Sequence, residues 1–127
     1  MHMRNAFEYA IIRVMPRIER GEFLNVGALL FCRQKRFLQA RINLDEIRLK
    51  ALWPELDPAP LHEQLAYLAF VCVGGKEAGP IGELPIFERF RWLTAPRSTV
   101  VQTSPVHGGI CADPTEALER IFKQMVE

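Results

Sequence analysis

The sequence predicts an α+β fold: an antiparallel sheet of about four strands with helices packed on at least one face, in a single domain over residues 1–127. Three observations predict it. Apolar, β-branched and aromatic runs crowd the first third of the chain, separated by short polar turns, which is the pattern of a meander. After about residue 43 the apolar residues recur at helical rather than alternating spacing. A chain of 127 residues with no internal repeat and no low-complexity tract has the size of one domain with its own core.

Phe7 to Pro16 is the first expected strand, ended by the proline. Phe7, Tyr9, Ile11, Arg13 and Met15 share one face; Ala10, Ile12 and Val14 share the other. Both faces are largely apolar, so the strand is expected to be central and covered on both sides, with Arg13 standing out in its row. Arg17 to Glu22 make the bend, and Gly21 supplies the freedom such a bend needs. Phe23 to Cys32 is the second strand, with Gly27 marking a bulge or a close backbone approach. A polar turn at Arg33 to Arg36 leads to the third strand, Phe37 to Ile42, with Leu38, Ala40 and Ile42 inward and Gln39 and Arg41 outward.

The helical part begins with Asn43 or Asp45 capping a short helix through Leu52, stopped before Pro54. A second helix starts near Pro58 with Asp57 as its cap, carries Leu61, Leu65, Leu68, Ala69 and Cys72 at helical spacing, and ends at Gly74-Gly75. Residues 74–85, rich in glycine and proline, read as a loop, and Pro85 to Leu93 as a short helix. Arg97 to Thr103 is the fourth strand. Pro105 to Asp113, with Gly108-Gly109, reads as a loop. The last helix has Asp113 as cap, Pro114 in the first position, Glu116 completing a capping box, and Leu118, Ile121, Phe122 and Met125 as its buried row.

The net charge of +1 makes no global case for nucleic acid or an acidic substrate, but the charge is polarised. Residues 1–50 hold ten Lys/Arg and five Asp/Glu; the rest hold six and ten. Three cysteines, Cys32, Cys72 and Cys111, sit in apolar segments and read as reduced core thiols of a cytoplasmic protein. No apolar run reaches transmembrane length, and the first residues do not look like a signal peptide.

The chemistry concentrates at the first bend. Arg13, Arg17, Arg20, Glu22 and Asn25 gather at one hairpin end, with Arg41 and Arg97 as possible extensions of a basic surface. Arginine presents a planar fork of donors matched to carboxylate or phosphate. Asn25 is an amide in an apolar strand and needs partners. These residues read either as a binding site for an anion or peptide carboxylate, or as an Arg–Glu pair plus an Asn that lock the turn; a register slip of one residue would part Arg13 from Asn25. His107 and Cys111 lie near a helix start, but no nucleophile motif surrounds them, so they read as a loop His and a buried Cys. There is no metal-ligand spacing, no Walker loop and no GxGxxG. Phe7, Tyr9, Phe23, Phe31 and Phe37 read as core rather than as an RNA-stacking platform. No catalytic residue, cofactor or metal is assigned.

From Tyr9 to Gly27 the chain resembles the bacterial family labelled domain of unknown function 3037. The pattern is Arg-x-x-Pro, then Gly-Glu-x-x-Asn-x-Gly, then an apolar strand, met here by Arg13, Pro16, Gly21, Glu22, Asn25 and Gly27. The resemblance implies a small single domain, no established activity, and companionship with HipA-like kinase genes, hence an accessory or toxin–antitoxin-type role. Three functional readings follow: an interaction or regulatory module using the basic hairpin end, a small enzyme or anion binder with Arg13, Glu22 and Asn25 in a pocket, and, least favoured, a nucleic-acid binder using the basic half.

Overall fold

The structure, a computed structural model, describes residues 4–127; residues 1–3, part of the segment expected to lack signal-peptide character, lie outside the described residues. Five strands and five helices follow in the order β1 (Asn5–Val14), β2 (Leu24–Cys32), β3 (Phe37–Ile42), α1 (Glu46–Leu52), α2 (Ala59–Val73), α3 (Gly79–Gly82), α4 (Ile86–Thr94), β4 (Val101–Thr103), β5 (His107–Cys111) and α5 (Pro114–Met125). The architecture is α+β, with every strand pair antiparallel.

The sheet has four lanes: β3, β2, β1, and a last lane in which β4 and β5 lie end to end along β1. The expected fourth strand is therefore right in place and wrong in extent. β4 covers Ile12 to Val14 and β5 covers Asn5 to Tyr9, while three residues, Ser104 to Val106, stand opposite Ala10 and Ile11. That one extra residue is a bulge. Ser104 bridges it: its N–H donates to the Ile11 carbonyl (2.8 Å) and its hydroxyl accepts the Ile11 N–H (2.8 Å). The segment expected to be a loop is β5. Gly109 is needed for packing rather than for a turn, since a Cβ there would come within 2.4 Å of the Phe7 ring. At the other end, residues 97–100 are not strand, because Arg97 turns back to the Trp92 carbonyl and Gln102 Nε2 donates to the Thr99 carbonyl.

β1 is central and covered on both sides, as its composition requires. Ala10, Ile12 and Val14 join Leu24, Val26, Leu29 and Phe31 in a large core with residues of α1, α2 and α4. Phe7 and Ile11 join Ala28, Leu30 and Cys32 under α5, with Ala117, Leu118 and Ile121. Phe90 and Phe122 are almost wholly buried, each worth about 1.5–3 kcal/mol by area removed from water. Met125, expected in the buried row of the last helix, is 45% exposed at the helix end, whereas Ala117 is buried.

Asp45 and Asp113 cap α1 and α5 by accepting backbone N–H groups, and the Asp57 carboxylate accepts from Ala59 N–H at the start of α2. Residues 74–85 are not one open loop. They form a helical turn at Lys76–Ala78 and the short α3, and Tyr67 donates its hydroxyl to the Ala78 carbonyl (2.9 Å). Arg89 of α4 fixes this corner: it donates to the carbonyls of Val71 (2.9 Å), Cys72 (2.8 Å) and Leu84 (3.0 Å), tying the end of α2 to α4. Among the described residues, no helix is long and apolar enough to cross a membrane.

Candidate functional site

The bend between β1 and β2 is a helical turn, Ile18–Arg20, closed by Gly21 in the left-handed region (φ 69°) with its N–H on the Ile18 carbonyl. Glu22 follows, and its carboxylate meets Arg20 Nε at 2.5 Å. The tip folds toward the connector between α1 and α2. Between them is a cleft of about 590 Å³, with Pro16, Arg17, Arg20 and Glu22 on the hairpin side and residues 52–56, including Trp53 and Glu55, on the other. Arg17 is exposed at this cleft and forms no ion pair among the described residues.

Arg13 and Asn25 are brought together, but by a device that lies outside the bend. The β1–β2 register shifts by one between Ile12 and Arg13, so that Ile12 pairs with Gly27 and Arg13 with Asn25, leaving Val26 as the extra residue. Without this bulge Asn25 would share the face of Leu29 and Phe31; with it, Asn25 faces α5 beside Arg13. Gly27 allows the distortion: a Cβ there would come within 2.7 Å of the Arg41 carbonyl and 3.2 Å of Ile12. The Arg13 guanidinium stacks over the Phe23 ring at 4.1 Å. Asn25 Nδ2 donates to the Met125 carbonyl (3.0 Å), while Asn25 Oδ1 and Arg13 Nε are buried without hydrogen-bond partners among the described residues.

The remaining two predicted residues are elsewhere. Arg41, on β3, pairs with Glu119 (2.8 Å) and lies over Phe122 at 4.7 Å, so it fastens α5 to the sheet edge. Arg97 lies far along the chain in a different cleft, stacked on Trp92 at 4.3 Å. The seven residues thus divide into a cleft group (Arg17, Arg20, Glu22), a pair on the α5 face (Arg13, Asn25), an α5 anchor (Arg41) and Arg97. Sequence reasoning missed Trp53, which lines the cleft, and Arg48, whose guanidinium donates to the Val126 carbonyl (2.9 Å) and holds α1 against the end of α5. Trp53 carries a usable signal, a large aromatic directly before the Pro54 that stops a helix; Arg48 carries none.

His107 stands on β5 with its ring 5.5 Å from Tyr9, and Cys111 is buried at the other end of the same strand. Burial, with Cys32 and Asp113 nearby, pushes the Cys111 thiol up, the opposite of nucleophile activation. Among the described residues, no three His, Cys, Asp or Glu side chains converge to hold a metal ion.

The family model described as "Protein of unknown function (DUF3037)" matches residues 9–126, nearly the whole chain. No curated protein and no solved structure matches it.

Proposed function

The chain belongs to the DUF3037 family, and from that premise we propose that it is a non-catalytic interaction or regulatory module whose working surface is the hairpin-tip cleft, occupied by an extended, acidic segment of a partner protein. The observation that carries this reading is Arg17, an exposed guanidinium without an ion pair among the described residues, on a cleft it shares with Trp53. Arginine and tryptophan are the side chains that most often anchor protein interfaces. Arg20 is held by Glu22 and keeps the rim in shape; it is the less available of the two. Pro16 and Glu22, two residues of the family-like motif, line the same cleft. A HipA-like kinase is the first partner to try, on the resemblance of the hairpin alone.

A photo-crosslinking amino acid placed at position 17, in the protein expressed in its native organism, tests this. A discrete partner protein cross-linked from position 17 and not from position 123, on exposed α5, is the expected result. Equal labelling from both positions, or none from 17, overturns it. The cleft volume also lies within the range of small-ligand sites. On that reading, an anionic metabolite held by Arg17 would raise the melting temperature of the purified protein, and Arg17→Glu would abolish the rise.

A further inference from the structure

A second cleft, which shares no lining residue with the hairpin-tip cleft, has a different character. It has a volume of about 370 Å³ and lies between α2, α4 and β4. Its floor is Leu68, Leu93 and Val101, all buried in the larger core. Its walls are Tyr67 and Trp92, in edge contact with ring centroids 6.0 Å apart. The Tyr67 hydroxyl is already engaged by the Ala78 carbonyl, so that ring presents only its apolar surface.

Into this apolar setting comes one half-buried cation. Arg97 stacks on Trp92 at 4.3 Å and donates Nη2 to the Trp92 carbonyl. Both contacts fix the guanidinium at the end of the cleft. One donor is occupied, and a guanidinium has five. Among the described residues Arg97 forms no ion pair. Glu63 is the one carboxylate in the lining, and it does not reach Arg97. Burial also lowers the Arg97 pKa, the expected mark of a cation removed from water without a compensating anion.

We infer that this cleft is a binding site for a small apolar, preferably aromatic, monocarboxylate, its body against the joined rings of Tyr67 and Trp92 over Leu68 and Val101 and its carboxylate on Arg97. The reasons are complementary. The apolar floor rewards a hydrophobic body. The planar fork, pre-oriented by its stack on Trp92, can donate two parallel hydrogen bonds to a carboxylate. Glu63 at the rim disfavours a second negative charge, which sets the preference for a monoanion. The site rests on none of the residues assigned to the hairpin cleft.

The test uses the full-length protein, labelled with ¹⁵N, and two probes of matched shape: 3-phenylpropionate and its neutral amide, 3-phenylpropanamide. Titration of the acid is expected to shift the Trp92 indole and Arg97 Nε–H signals and the Thr99 amide, leaving the Trp53 indole still. The amide is expected to bind at least about tenfold more weakly, the loss of a charge-assisted pair. Arg97→Gln removes the difference between acid and amide, and Glu63→Gln strengthens binding of the acid. Should Arg97→Gln fail to fold, the acid–amide comparison on the unaltered protein decides alone. Equal affinity for the two probes, no shift at Trp92, or acid-dependent shifts confined to Trp53 would overturn the assignment.

Discussion

The two clefts contrast in how they are built. The hairpin-tip cleft takes Arg17, Arg20 and Glu22 from one short stretch of chain, exposed and already partly neutralised by the Arg20–Glu22 contact at 59% and 46% side-chain exposure, with Glu55 on the opposite side. The Tyr67–Trp92 cleft takes its residues from α2, α4, β4 and the α4–β4 connection, spread over about a third of the chain, and its cation, Arg97, is half-buried with no ion pair among the described residues. An arginine in the first setting is solvated and costs little to keep or lose. An arginine in the second is fixed by packing, and the surrounding fold depends on it. Charge density along the sequence points to the first kind of site and is blind to the second.

The largest effect is expected where the walls of the apolar cleft are joined. Arg89→Met removes three donors to the carbonyls of Val71, Cys72 and Leu84 and should lower the unfolding free energy in urea by about 3 kcal/mol. The same corner has a pH signature. Burial of Cys72, on α2, in the larger core pushes its thiol up to about 12 from 9.0, against a smaller downward pull from Arg89. A thiol whose folded pKa is raised stabilises the fold fully below pH 9 and progressively less from pH 9 to 12, as the unfolded chain gives up a proton that the folded chain retains. Wild type should therefore lose stability relative to Cys72→Val across that window, measured by urea melts at stepped pH.

Smaller effects sharpen the contrast between the two arginines. Arg97→Ala loses the stack on Trp92 and a charged hydrogen bond, and should cost about 1–2 kcal/mol in the same urea assay. Arg20→Ala breaks an exposed pair and should cost no more than about 0.5 kcal/mol. If the two substitutions cost the same, the distinction between a packed and a solvated arginine fails.

Much of the fold was legible because its signals are local. The β-branched and aromatic run of residues 7–14, the caps Asp45, Asp57 and Asp113, and the periodic apolar row of α5 each act within a few residues of themselves. What was not legible depends on partners distant in sequence. Pro105 to Asp113, with Gly108-Gly109, read as a loop, but Gly109 is small because Phe7 lies across it, a fact that the sequence around 109 does not contain. Glycine and proline in residues 74–85 concealed two helical turns that Tyr67 and Gly75 help to hold. The candidate site divides the same way. Arg17, Arg20 and Glu22 converge because they are neighbours. Asn25 joins Arg13 only because a one-residue bulge reverses its face, and Arg97 leaves the group because Trp92 holds it elsewhere.

The most direct test of the interaction reading is a parallel capture from the native organism with tagged wild type, Arg17→Glu and Arg97→Gln, each first shown folded by circular dichroism. The account predicts one partner protein retained by wild type and Arg97→Gln and reduced at least about tenfold by Arg17→Glu, an exposed substitution that should itself shift stability by less than about 0.5 kcal/mol. Full retention by Arg17→Glu, or loss with Arg97→Gln instead, would contradict it and move the working surface away from the hairpin tip.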